Sequence, residues 1–222
     1  MTEPDFLHTT RTSYDAFAGF YAELFQDELN AKPLERHVLA AFAELAASDG
    51  GGRPVADVGC GTGRVTAYLH GLGADVFGID LSPGMLAQAR SRYPHLRFEE
   101  GSMLALDLPD DALGGLLAWY SVIHVPDERL PEVFAEFLRV LAPGGHLLLG
   151  FQVGEEALHL TEAGGHRVSL DFHRRRPEAL AALLTGAGLE LRATLLRERD
   201  GEGPFPEKTP QAYLMARKPA AG

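Results

Sequence analysis

One cysteine, Cys60, stands in a chain of 222 residues. A lone thiol excludes an intramolecular disulfide, so a reducing, cytoplasmic compartment is the expected setting. Long apolar runs are missing as well. A membrane helix needs ~20 consecutive apolar residues, and the richest stretch, GGLLAWYSVIHVP from Gly114 to Pro126, is far shorter. The opening MTEPDFLHTT is polar and acidic where a secretory leader would be basic and then apolar. No membrane association is expected. Cations are scarce too: 20 Lys and Arg face 31 Asp and Glu, for a formal net charge of −11. A chain of that sign repels phosphate backbones, which argues against nucleic acid as a partner. Its one basic knot, His173-Arg174-Arg175-Arg176, reads as a solvated helix entry.

What is present fits one globular domain with its own core: 45% of residues are hydrophobic and 23% charged. Apolar residues recur at three- and four-residue steps over ~13–29 (Tyr14, Phe17, Phe20, Tyr21, Leu24, Phe25), predicting a helix that NAKP ends. A second helix carries Leu34, Val38, Ala41, Phe42 and Leu45 on one face and stops at SDGGGRP. These two form an N-terminal helical cap over residues 1–50.

From Pro54 the pattern alternates. PVADVG, ADVFGID, LRFEEG, GGLLAWY and GGHLLLGFQV read as strands, separated by amphipathic helices. Ser82 followed by Pro83 marks a helix start, and Leu130, Val133, Phe134, Phe137, Leu138 and Leu141 form a continuous stripe on a helix over DERLPEVFAEFLRVL, residues 127–141. Runs such as LLLGF fit strands covered on both faces, as in parallel sheets. After a helix from Pro177 to Ala187, LELRATLLRER and QAYLMARK follow with only a loop between them, so a terminal hairpin is expected. The sum is an α/β, Rossmann-like sheet of seven mostly parallel strands with helices on both faces and the last strand antiparallel. Its ligand belongs beyond the carboxyl ends of the strands. The chain divides into the cap, a core over 54–150, a connecting segment over 151–176 and a helix with hairpin over 177–218.

The loop VADVGCGTGRV asks what its three glycines hold. A nicotinamide fingerprint needs a small residue where Arg64 stands, and no Gly-Lys-Ser/Thr follows for a nucleoside triphosphate. The run Asp57-Val58-Gly59-Cys60-Gly61-Thr62-Gly63 instead resembles the first motif of the class I S-adenosylmethionine-dependent methyltransferases. The likeness continues through VFGIDLSPGML, GSMLALDLP and EFLRVLAPGGHLLL, in the family's order.

The resemblance implies S-adenosyl-L-methionine as cofactor. It assigns Gly59, Gly61 and Gly63 to close approach of the methionine portion and Asp57 to its charged end. Asp80 is assigned to the ribose diol, Leu81 to the adenine face, and Ser102 and Met103 to the adenine edge. Cys60 sits within this loop as a small buried filler. Tyr21 resembles the family's N-terminal tyrosine that covers the cofactor. Trp119 and Tyr120, after the fourth strand, would wall the place where acceptor meets donor, Trp119 against the cofactor and Tyr120 as a catalytic candidate beside His124, the general-base candidate, for which a structural role is the alternative. Residues 151–176 would lid the acceptor, with Tyr14, Phe172 and His173 as acceptor-pocket candidates. His159, His166 and His173 match no common zinc spacing, and no metal is expected. AWYS lacks the Asn/Asp-Pro-Pro-aromatic pattern of methylases acting on DNA bases or protein glutamine. The implied reaction is methyl transfer to a small molecule or peptide; a noncatalytic cofactor-binding module or an aminopropyl transferase would share the donor pocket.

Overall fold

In the computed structural model, residues 4–220 are described. Four consecutive buried residues make the first strand, β1 (Val55–Val58). A strand can be buried at every position only if both faces are covered, and the chain supplies the covers by alternation. β2 (Val76–Asp80), β3 (Phe98–Glu100), β4 (Leu113–Trp119) and β5 (Leu141–Gln152) join it in parallel. β9 (Gln211–Arg217) pairs antiparallel with β5, and β8 (Glu190–Arg197) antiparallel with β9. The seven-stranded order is β3-β2-β1-β4-β5-β9-β8. Strand order reverses between β1 and β4, and at that reversal the loops leaving the two strands part and open a crevice.

Side chains divide by the period of two. Ala56, Val58, Leu116, Ala118, Leu147 and Leu149 face α5 (Leu130–Val140) and α6 (Pro177–Gly186). Val55, Leu117, Trp119 and Leu148 face α2 (Pro33–Asp49) and α3 (Arg64–Gly71). Helix α4 (Pro83–Arg92) covers the β3 edge through Leu86 and Ala89 against Phe98 and Cys60. Ser82 caps α4, its Oγ accepting from Met85 N at 3.0 Å. Cys60 is buried in this cluster.

Two expectations need correction. The first helix, α1 (Asp5–Leu24), begins eight residues earlier than the apolar spacing predicts, bends at Phe17, and gives way to a 3-10 turn over Glu28–Ala31. Its first turns carry no continuous stripe, and there Arg11 Nε donates to Leu81 O at 3.1 Å. Asp15 accepts from Ser82 Oγ (2.6 Å) and Gly84 N (2.7 Å), placing a carboxylate at the N-terminus of α4. The segment 151–176, read as an acceptor-side lid and assigned no strands, contains a second sheet: β6 (Leu158–Ala163) and β7 (His166–Phe172) form a hairpin across Gly164-Gly165. Gly-Gly between extended runs is a hairpin signal, and the runs beside it alternate apolar with polar residues over only two or three apolar positions each. The hairpin docks on α1, where Ser13 Oγ donates to Ser169 O (3.2 Å) and accepts from Ser169 N (2.9 Å). Among the described residues no helix is long and apolar enough to cross a membrane.

Candidate functional site

The loop after β1 folds back over the end of β2. Gly59 N and Cys60 N donate to Ile79 O at 2.7 and 3.1 Å, and Gly61 N donates to Asp80 Oδ2 at 2.7 Å. The three glycines serve three purposes. A Cβ on Gly59 would lie 2.2 Å from Ser121 Cβ, so this glycine admits the chain leaving β4. A Cβ on Gly63 would meet the Phe98 ring at 2.7 Å, so it admits β3 packing at the start of α3. Only Gly61, with φ +55°, would direct a Cβ into open space. Close approach of a ligand is thus assigned to Gly61; Gly63 does not line the cavity at all, contrary to the expectation from the motif.

Beneath the loop, Asp57 is 1% exposed. Its Oδ2 accepts from Thr66 Oγ1 at 2.7 Å, while its Oδ1 is buried without a partner. Burial pushes this carboxyl up to about 7. Asp80, at the end of β2, accepts from Gly61 N through Oδ2 and from Ser82 N (2.8 Å) through Oδ1. Burial again outweighs those donors and raises it to about 6. Each Asp80 oxygen retains acceptor capacity on its remaining lone pairs.

Arg64, the first residue of α3, was passed over by motif reasoning except as an obstacle to a nicotinamide site. Its guanidinium pairs with Glu28 at 2.6 Å and bonds the Tyr21 hydroxyl, yet Nη1 stays buried and unpartnered. Its signal was its position: a long cation directly after a glycine loop can turn back over the ligand. Two residues that line one cavity thus each carry a buried polar atom without a partner, Asp57 Oδ1 and Arg64 Nη1.

That cavity occupies about 970 Å³ including its mouth. It brings together Tyr14, Tyr21, Asp57, Gly59, Cys60, Gly61, Asp80, Leu81, Ser102, Met103, Trp119, Tyr120 and His124 from the predicted set. Trp119 stacks on Tyr213 with ring centroids 5.0 Å apart. Tyr120 has φ +54°, a left-handed conformation rare for a bulky residue. Tyr213 donates its hydroxyl proton to Glu35, so the Tyr120 hydroxyl donates to Tyr213 at 3.2 Å, away from any acceptor chemistry.

His124 lies in the 3-10 turn after β4 (Val122–His124). Its Nδ1 is 2.8 Å from Asp171 O. A carbonyl only accepts, so Nδ1 carries the proton and Nε2 accepts from the Tyr14 hydroxyl at 2.7 Å. Burial lowers the imidazole to about 4. Phe172 and His173 fall outside the lining, a correction with a simple cause: β7 runs behind this turn. The Phe172 ring sits edge-on to His124 at 4.8 Å, and His173 N donates to Ile123 O at 2.7 Å. Within the basic knot, Arg175 is buried rather than solvated. It bonds Asp127 (2.8 Å), Val122 O (3.1 Å) and Val125 O, and so fixes the turn that carries His124.

Residues 55–145 match the methyltransferase domain family. The chain is 40% identical over 92 residues to a demethylmenaquinone methyltransferase of Chlorobaculum parvum, covering 41% of this chain and 37% of that protein. It is 34% identical over 147 residues to a trans-aconitate 2-methyltransferase of Escherichia coli O157:H7, covering 62% and 56%. It therefore spans about half the length, or less, of the curated relatives it matches. Among solved structures, a complex of DhpI with S-adenosylhomocysteine superposes with a TM-score of 0.70 at 23% identity, over 98% of this chain and 99% of that one. At that identity the likeness is one of fold.

Proposed function

We propose that the chain, whose residues 55–145 match the methyltransferase domain family, is a class I S-adenosylmethionine-dependent methyltransferase that transfers a methyl group to a small-molecule or peptide acceptor. One observation carries the reading: Asp57 Oδ1 and Arg64 Nη1, both buried and unpartnered, belong to residues that line the same cavity as Gly61. Unpaired buried polar atoms of opposite sign are costly unless a ligand completes them. The ammonium and carboxylate of a methionine moiety are the matching pair. Asp80 then receives the ribose hydroxyls, while Leu81, Ser102 and Met103 line the adenine end. Tyr21, bonded to Arg64, closes over the amino-acid end.

S-adenosylmethionine supplies, when bound, an electrophilic methyl carbon on a sulfonium. The residues around it exclude water and fix direction. Trp119 and the Tyr120 ring present aromatic faces suited to a sulfonium charge, and the enclosed lining supports an aligned approach of the acceptor. Displacement at a sulfonium carbon needs no Lewis acid, so the proposed reaction is metal-independent. An aminopropyl donor, lacking the carboxylate, would leave Arg64 Nη1 unpaired, and the orphaned nitrogen favours the methyl donor.

Calorimetry on ligand-stripped protein with S-adenosylmethionine, S-adenosylhomocysteine, NAD and ATP tests the reading. The two sulfur cofactors should bind and lose at least tenfold in affinity on Arg64→Met, and NAD and ATP should give no heat. Preference for NAD, or an unchanged Kd in the variant, would refute it.

A further inference from the structure

The acceptor end of the cavity is built differently from the donor end. It is walled by the first turns of α1 and by the turn after β4: Phe6, Leu7, Thr10, Tyr14, His124 and Val125. Among the described lining residues the carboxylates are Asp57 and Asp80, both under the glycine loop. No acidic side chain at the acceptor end would attract an ammonium. The Arg11 Nε donates to Leu81 O at 3.1 Å. What this end does offer is the Tyr14–His124 pair.

Neither imidazole nitrogen is open to a substrate. Nδ1 is held by the Asp171 carbonyl and Nε2 by the Tyr14 hydroxyl. His124 acting directly as a base would have to break the 2.7 Å bond to Tyr14. The tyrosine oxygen, in contrast, donates only one proton and can still accept through its lone pairs. Its ring is fixed by Phe17 (5.3 Å, stacked) and by the edge of His124 (5.2 Å).

We propose that Tyr14 and His124 form a proton relay for a neutral hydroxyl acceptor, with Tyr14 touching the acceptor and His124 receiving the proton through it. This rests on the methyl-transfer reading above. As the acceptor oxygen gains a methyl carbon from the sulfonium donor, its O–H bond breaks and that proton passes to Tyr14 Oη. The original Tyr14 proton moves to His124 Nε2. The positive charge that leaves sulfur reappears on the imidazolium, and a methyl ether and a thioether are left. An alkylated hydroxyl is far more acidic than any imidazolium, so even a buried, weakly basic histidine is sufficient once transfer is under way. The imidazolium afterwards returns its proton readily, because burial disfavours it. Tyr14 stays neutral beforehand, since burial holds its hydroxyl well above the usual phenol range. A carboxylate acceptor would have no proton to give, and an ammonium would meet no counter-charge.

Nitrogen-detected NMR on histidine-labelled protein loaded with S-adenosylhomocysteine tests this with phenol, benzoate and benzylammonium as probes. Phenol should shift the His124 Nε2 resonance and bind at least tenfold more tightly than the other two. Tyr14→Phe, which keeps the stacked ring, should remove that preference. The His124 resonance should titrate near 4, among neighbours Tyr14, Asp171, His173 and Arg175 and, through Tyr14, Tyr21 and Asp80.

With S-adenosylmethionine and a panel of phenols, Tyr14→Phe should lower kcat ~100-fold with KM for the donor within twofold. His124→Asn, which retains a donor toward the Asp171 carbonyl, should do the same. The wild-type rate should stay flat from pH 5 to 9 at saturating donor. Failure of S-adenosylhomocysteine to bind would sink the cofactor reading itself. Its binding without any response to phenol, benzoate bound as well as phenol, phenol bound but no phenol methylated, variants within twofold of wild type, or a rate falling near pH 6.5 would each overturn the relay alone.

Discussion

Replacing each glycine of the loop by alanine, one at a time, separates folding from binding. An alanine at positive φ costs ~1–2 kcal/mol whatever its surroundings. Gly61, φ +55°, has nothing near the added methyl, so Gly61→Ala should cost about that much and no more. Gly63 has φ +77° and would set its methyl 2.7 Å from the Phe98 ring, so overpacking adds ~1–3 kcal/mol. At Gly59 the methyl would meet Ser121 Cβ at 2.2 Å, an atom one bond from backbone, and the loop after β4 must move. The expected order of destabilisation is Gly59→Ala, then Gly63→Ala, then Gly61→Ala. For a chain of this size each kcal/mol is ~2–4 °C in Tm, so Gly61→Ala should melt ~2–8 °C low and Gly63→Ala ~4–20 °C low. Binding should rank otherwise: Gly61→Ala should weaken S-adenosylhomocysteine most at 15 °C, where all folded variants are compared. Denaturant unfolding and calorimetry read the two quantities. A Gly63→Ala protein of wild-type stability that binds no cofactor would refute the division of roles.

Asp57 has a pH consequence. Its carboxyl rises from 3.8 in the unfolded chain to about 7 when buried, so its contribution to stability is present below 3.8 and is lost as pH climbs toward 7. Asp57→Asn should therefore raise the ligand-free Tm at pH 8 and leave it almost unchanged at pH 4; a gain no larger at pH 8 than at pH 4 would contradict the burial argument. Arg175→Met removes the guanidinium donor from Val125 O, at ~1–3 kcal/mol, while Val122 O keeps the Val125 N–H; it should lower stability and broaden the His124 NMR signal. Ser82→Ala loses both the α4 cap and the bond to Asp15, for ~1 kcal/mol or slightly more by urea unfolding.

The donor half of this site was legible in the sequence because it is local and made largely of backbone. Val55 to Arg64 form a strand, a turn and a helix start in ten residues, and the Gly61 N–H and the Asp80 carboxylate meet because β1 and β2 pair in register. Such contacts leave a trace in spacing: glycines two apart, an acid at a strand end, a serine-proline helix start. The motif did not say which glycine faces the ligand, since that depends on Phe98 and Ser121, distant in sequence. The acceptor half is made of long-range partnerships. Tyr14 and His124 are separated by 110 positions, and Ser13 and Ser169 by 156. Periodicity offered Tyr14 as one more apolar position on a helix and His124 as an isolated titratable group; only the docking of α1 and the β6–β7 hairpin over the turn after β4 joins them. The hairpin left only a short trace, apolar residues alternating with polar ones at Leu158 and Leu160 and at Val168, Leu170 and Phe172, in mostly exposed strands that pack on α1. Phe172 was legible as an aromatic near the pocket and yet works from behind, bracing the imidazole that Tyr14 approaches from the front. A chain can thus declare its donor chemistry in a ten-residue string while its choice of acceptor rests on which helix is laid over which loop.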